Sequence, residues 1–420
     1  MPDACSAVTL PDKNPPPHDV HQKTLPCYVI LVHGVNDVGE TYPPQERGLC
    51  LGLAERLGRN YDLKPYEYRI PQRDDPLQPL PDRIFFHRVE GSGSHSPVIP
   101  FYWGFREENR KIKKDVKSAH GEWLDACNNR IDKDGAKGGG PFQNACNCLP
   151  HMWVGGWKPG LQARAANTQS TPTHRLNHAA PDRRYQVLAA LRLAMLIRII
   201  RKRHPQVAIN VVAHSMGCLV ALLAQAFLLD EGARTADCLV LNNAPYSFDE
   251  NRMDNNLFQE INQTSRARIE TFKKIVKAFH DKRAQHPEWS SIQQSTDGDL
   301  AWKLWTKGKK KHPHSGHPHD HAEWDNRGRI HLYFSPHDRT VALLNTQGIG
   351  WQGIPDHYRS EWREDAIPGG DRDAGGGPRA LFDYSKPRAV SWNTLLADLE
   401  ASGFRQRLFM RQNRNGETYQ

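Results

Sequence analysis

Apolar residues are scarce in this chain: 38% of its 420 positions, against roughly 45–50% in ordinary globular domains. A core of normal density can then occupy only part of the length, and long polar segments must surround it. No apolar run reaches the about 20 residues that a bilayer crossing needs. The longest, Tyr185 to Ile200, is interrupted by Arg192 and Arg198 and is expected to be a helix on a core. The opening "MPDACSAVTLPDKNPPPHDVHQK" lacks the positive and then apolar order of a secretory leader, so cytoplasmic synthesis without a signal peptide is expected. Nucleic-acid signatures are missing too: there is no zinc-finger spacing, recognition helix or aromatic RNP-like strand. The formal charge of +9 and pI near 9.1 therefore speak for an anionic surface rather than for nucleic acid. Eight scattered cysteines in so long a chain do not make a disulfide framework. Cys27, Cys218 and Cys238 sit in apolar runs as small hydrophobes. The single C-x-C at Cys146 and Cys148 reads as an irregular loop rather than a metal site.

What is present alternates. "LPCYVILVHGVND" begins with a β-branched run, Cys27 to Val32, that suits a strand buried on both faces of a parallel sheet. A helix from Glu46 to Leu57 follows, and "KPYEYRI" and "SPVIPFYWG" are further strand candidates. After a charged, Gly-rich stretch come a helix (Arg183 to Arg203), a strand (Val207 to Ala213), a helix (Gly217 to Leu229) and strands at Cys238 to Leu241 and Ile330 to Phe334. This pattern predicts an α/β protein with a mostly parallel sheet and helices on both faces. The expected organisation is an arm over 1–22 and one domain over 23–420, with cap-like insertions at about 105–182 and 249–328. In the second insertion, "RARIETFKKIVKAFHDKR" sets Ile269, Phe272, Val276 and Phe279 on one helical face and Arg268, Lys273, Lys274 and Lys277 off it. Such a helix packs on its own domain more often than on a membrane.

The chemistry gathers at "NVVAHSMGCLVALL". An apolar strand that turns at once into an apolar helix leaves its turn residue, Ser215, at the carboxyl edge of the sheet beside the helix's positive end. The tight turn demands small residues two before and two after, and Ala213 and Gly217 meet that demand. A serine capping a helix is the blander explanation. Acyl transfer also needs oxyanion donors, and the N–H of Met216 and the loop at Gly34 and Val35 are placed to supply them. The order Ser, acid, His of such enzymes points to Asp338, in "LYFSPHDRTV", as the acid. A surface aspartate is the alternative.

The stretches "VILVHGVNDVGE", "PFYWG", "VVAHSMGCLVALLAQAF", "LNNAPYSF" and "YFSPHD…NTQGIGWQG" together resemble the third family of type VI secretion lipase effectors over most of residues 25 to 355. The resemblance implies an α/β-hydrolase fold and an antibacterial phospholipase without cofactor, in a longer chain with a further C-terminal domain. It implies delivery by a spike or adaptor protein from the producer's cytoplasm into a rival's periplasm, action on a phospholipid membrane surface, and a cognate immunity protein. Carried over by position, Ser215 is the nucleophile and Asp338 the acid. The base is either His357, the one histidine after Asp338, or a residue outside these 420. Two other readings stay open: an esterase or thioesterase on soluble substrates, and a non-catalytic module that binds a partner. The tract "KKKHPHSGHPHDHAEW" is expected to be a solvated loop, and no metal is expected.

Overall fold

The structure is a computed structural model; it describes chiefly residues 25–37, 42–57, 63–69, 93–106, 112–117, 136–155, 182–250, 263–284, 325–343, 346–362 and 389–409, with a few short strand pairs besides. Among these residues a central sheet holds β1 (Tyr28–Val32), β2 (Val98–Phe101), β3 (Ile209–His214), β4 (Cys238–Asn242), β5 (Arg329–Phe334) and β6 (Phe404–Leu408). Every pairing is parallel, in the spatial order β6-β5-β4-β3-β1-β2. The helices are α1 (Tyr42–Leu57), α2 (Arg184–Arg203), α3 (Met216–Asp230), α4 (Ser265–Asp281), α5 (Ile349–Gln352) and α6 (Leu396–Ala401).

Because strand side chains alternate, residues level in register share a face. Ile30, Val211, Leu239 and Ile330 are level, as are Val32, Ala213, Leu241 and Leu332. All are buried in one core with α2, α3 and α4. Val29, Leu31 and Val98 face the other way, into a smaller core closed by Tyr42 and Cys50 of α1. Helices thus cover both faces unequally. Helix α3 is buried nearly all round, Met216 to Gln225 without a break, as an inner-layer helix should be.

The amino edge of the sheet is tied by one carboxylate. Asp237 receives Arg201 of α2 at 2.7 Å, Arg234 at 3.0 Å and the backbone N–H of Ile209 at 2.8 Å. It is 5% exposed, so the charge is buried with its partners.

Some expectations need correction. "KPYEYRI" contributes only Tyr68–Arg69, antiparallel to His87–Arg88 and outside the central sheet; it has no apolar run to bury on both faces. Strand β6 was not expected, since "FRQRL" has only Phe404 in the core. Arg268 lies on the apolar face of α4 rather than off it, four residues before Phe272. It is wholly buried, with Nη1 donating to Asn147 Oδ1 (3.2 Å) and Nε to the Gln263 carbonyl (3.0 Å). The rest of that face, Ile269, Phe272, Ile275, Val276 and Phe279, is also buried, so α4 packs on its own domain. The arm over 1–22 lies outside the described residues, apart from Ser6–Ala7 paired with Val20–His21. Most of the histidine tract lies outside them too. No helix among the described residues is long and apolar enough to cross a membrane, and no group of three or more His, Cys, Asp or Glu among them could hold a metal ion.

Candidate active site

The carboxyl edge of β3 carries the turn that the sequence calls for. Ser215 has φ 50° and ψ −127°, a conformation that costs a non-glycine residue on the order of 1–3 kcal/mol and persists only where the surroundings enforce it. They do: the Ser215 N–H donates to the Asn242 carbonyl (2.9 Å), and its carbonyl accepts from Cys218 (2.9 Å). A side chain at Gly217 would put its Cβ 2.4 Å from the His33 carbonyl oxygen and 2.7 Å from that of Val32. Glycine is therefore obligatory there, and α3 starts hard against the end of β1. The serine itself is only half-buried.

Facing Ser215 is the loop after β1. A Cβ on Gly34 would sit 2.9 Å from the Cβ of Ser215, so the bare backbone of Gly34 forms the wall of the site. His33 fixes this backbone. It is 6% exposed, its Nδ1 lies 2.8 Å from the Gly34 carbonyl oxygen, its Nε2 accepts the Trp103 N–H at 3.2 Å, and its ring stacks on Trp103. Burial, the largest influence, holds this imidazole below its ordinary range and keeps it neutral, with Nδ1 protonated to donate to Gly34. Holding the Gly34 carbonyl on one side turns the N–H of the same trans peptide, that of Val35, to the other. Among the described residues neither this N–H nor that of Met216 has a protein acceptor. Met216 follows Ser215 directly, and Val35 follows Gly34, whose backbone meets the Ser215 Cβ.

Residues 138–140 hold this loop from outside. Asn36 N–H donates to Gly140 (3.0 Å), Asp37 N–H to Gly138 (2.9 Å), and Gly139 N–H to the Trp103 carbonyl (2.8 Å). A Cβ on Gly139 would fall 2.5 Å from the Gly34 oxygen. The triplet Gly138-Gly139-Gly140 is thus a backbone clamp on the donor loop, and nothing in the sequence beyond the triplet itself signalled it. Cys146 and Cys148 follow. Both are buried, and Cys146 N–H lies 3.3 Å from the Met216 sulfur. The segment is irregular, as expected, and it is also buried.

Asp338 lies past β5, two strands from Ser215 in the sheet. Strands lie ~4.8 Å apart, so about 10 Å separates the two strand axes, a gap that one imidazole can bridge. The carboxylate is well held: Oδ1 accepts from the N–H groups of Thr340 (2.9 Å) and Val341 (3.1 Å), and Oδ2 from Asn243 Nδ2 at 2.6 Å. Asn243, just past the strand between, was not singled out in the sequence. It has a φ of 52°, which asparagine tolerates better than most residues. Behind it lies the "GIGWQG" stretch. A Cβ at Gly350 would be 2.2 Å from the Ala244 nitrogen, and one at Gly348 2.6 Å from the Ala244 oxygen. Its glycines let the chain press on 243–245 and aim Asn243 at the acid.

The third member is not assembled in the same way. His357 is exposed at the start of a strand, His357–Trp362, antiparallel to Ala389–Thr394. Just before it, the Ile354 N–H is bonded to Gln406 of β6 (2.7 Å), beyond β5 as seen from Ser215. Among the described residues no hydrogen bond joins His357 to Asp338 or Ser215. His33 is committed to the loop, and His214, exposed beside the elbow, has its Nδ1 3.2 Å from where a Cβ on Gly34 would sit.

Comparison with known proteins places the chain in a family. Residues 25–355 match the family model described as the T6SS Tle3 phospholipase effector domain. The chain is 40% identical over 388 residues to the antibacterial effector protein Tle3 of Pseudomonas aeruginosa, covering 87% of this chain and 54% of that protein. It spans about half the length of the curated relative it matches. The matched span contains Gly34, Ser215 and Asp338, and the chain belongs to the Tle3 family of type VI secretion phospholipase effectors.

Proposed function

We propose that this chain is a serine-dependent lipolytic hydrolase of the α/β-hydrolase type, acting on the acyl esters of membrane phospholipids. The observation that carries the reading is Ser215, held at positive φ between β3 and α3 with the Gly34 backbone close against its Cβ. Ser215 Oγ attacks the ester carbonyl while its proton passes to an imidazole. The oxyanion so formed accepts from Met216 and Val35, with the Gly34 backbone as the wall, each donor being worth about 3–4 kcal/mol in such sites. The intermediate collapses, the imidazole returns the proton to the departing alcohol, and water hydrolyses the acyl-enzyme by the reverse sequence. Asp338 orients the imidazole and stabilises its charge. The chain order of such enzymes assigns the base to His357, whose strand would have to bring it between Asp338 and Ser215.

The same reading makes the chain an antibacterial effector carried by a type VI spike or adaptor into the periplasm of a rival cell, and restrained at home by a cognate immunity protein. Membership of the Tle3 family supports it. The test is fatty-acid release from phosphatidylglycerol and phosphatidylethanolamine vesicles by the purified chain, Ser215→Ala and His357→Ala. Release that both substitutions abolish is the expected result. Release that survives Ser215→Ala sinks the mechanism, and release that survives His357→Ala moves the base elsewhere.

A further inference from the structure

Helix α2 has an apolar stripe on its outer side. Leu188 (57% exposed), Leu191, Met195 (49%) and Ile199 all face solvent, at spacings of three, four and four residues that keep them in one row. The inward row, Ala189, Ala190, Leu193, Ala194, Ile197 and Ile200, is buried, so the core does not need the outer one. The twenty residues of α2 include no carboxylate and six cations. Arg184 is paired with Asp182 and Arg198 with Glu231, whereas Lys202 and Arg203 are exposed at the end of the stripe and make no ion pair among the described residues. The other end abuts the candidate site. Tyr185 Oη donates to the Gly139 carbonyl (3.0 Å), and Gly139 rests on Gly34. Trp153, 44% exposed, extends the stripe there, since Val154 next to it accepts the Arg183 N–H at 3.1 Å.

We propose that the outer face of α2, with Trp153, is the surface by which the protein lies on an anionic phospholipid bilayer. An apolar row edged by cations, with a tryptophan at one end, matches the acyl and headgroup layers of such a bilayer. A second copy of the chain fits poorly, because it would set this acid-free cationic helix against its own like charges. Helix α4 cannot serve, its apolar face being buried. The site-side end of the stripe would place the Ser215 edge over the lipid esters, and to that extent the proposal rests on the phospholipase reading; binding itself is measured without it.

The experiment is co-sedimentation of the whole chain, in the Ser215→Ala background, with vesicles of phosphatidylcholine alone or mixed with phosphatidylglycerol. The variants are Leu188→Glu/Met195→Glu and Lys202→Glu/Arg203→Glu. Removing two side chains from the lipid is expected to weaken partition into the mixed vesicles by at least about tenfold. Charge reversal is expected to weaken it as much, and more so at low salt, while hydrolysis of a soluble short-chain ester in the Ser215 background stays at the parent level. Undiminished partition of the Leu188/Met195 variant overturns the proposal. So does a parent dimer that this variant turns into monomer, which would assign the face to a second copy. Binding that depends on α2 without any fatty-acid release by the Ser215 form upholds the docking surface and overturns the phospholipase reading instead.

Discussion

At the scale of single residues, the site is defined by side chains that are missing. The Gly34 backbone and the Ser215 Cβ are so close that a methyl group at Gly34 must displace one of them. Gly34→Ala is therefore expected to lower turnover of a short-chain ester by about 10²-fold, the scale of a lost oxyanion donor. Asn243 is the opposite case, a side chain whose presence matters. Its bond to Asp338 Oδ2 (2.6 Å) is charge-assisted, and such bonds contribute about 1.5–3 kcal/mol. In the proposed mechanism this bond acts on the imidazolium of the transition state, so Asn243→Ala should cut kcat by about tenfold or more while KM for a short ester holds; an unchanged kcat would remove Asn243 from the mechanism. The places of Ser215, Gly34 and Asp338 at strand ends were legible in the sequence because strand, turn and helix leave a local pattern around each. Asn243 was not, because its role comes from the spatial order of β3, β4 and β5, which no local pattern records.

At the scale of elements, the strands that hold the site were legible through continuous apolar runs, and the boundaries of β3 to β5 fall within two residues of expectation. Strand β6 and the clamp at 138–140 were not. One has a single core residue, and the other works through backbone hydrogen bonds that leave no apolar period. Arg268 shows the converse limit: charge suggested solvent, yet its neighbours on α4 and the Asn147 amide take it inside. The join between elements most open to test is Asp237, which binds α2, β3 and the Arg234 turn together. Asp237→Ala leaves Arg201 buried without its partner and is expected to cost about 3–5 kcal/mol, read as a shift of the urea midpoint at unchanged slope. A loss within the experimental error would mean that solvent reaches Arg201.

At the scale of the whole molecule, the sheet is covered unequally, and its thinner side has a consequence for pH. His331 of β5 lies there, half-buried. Burial first, and then Arg329, Arg407 and Arg405, push its imidazole down from the ordinary 6.5 to about 4. Between those values the unfolded chain binds the proton more readily than the folded one, so folding stability rises with pH across the interval. It should be complete above 6.5, fall as the pH drops through 6.5, and have finished falling near 4. Denaturant titrations at several pH values should show His331→Gln flattening this slope; a parallel slope in the variant would assign the acid sensitivity to other groups. The net charge of +9 biases the molecule toward anionic surfaces, and α2 is where the structure gives that charge an apolar companion.

The most direct test of the nucleophile is covalent. A fluorophosphonate that acylation-competent serines attack should attach to the purified chain, with peptide mass spectrometry placing the adduct on Ser215, and labelling should vanish in Ser215→Ala and slow sharply in Gly34→Ala. An adduct on another residue, or none on a chain that hydrolyses phospholipid vesicles, would contradict the assignment of Ser215.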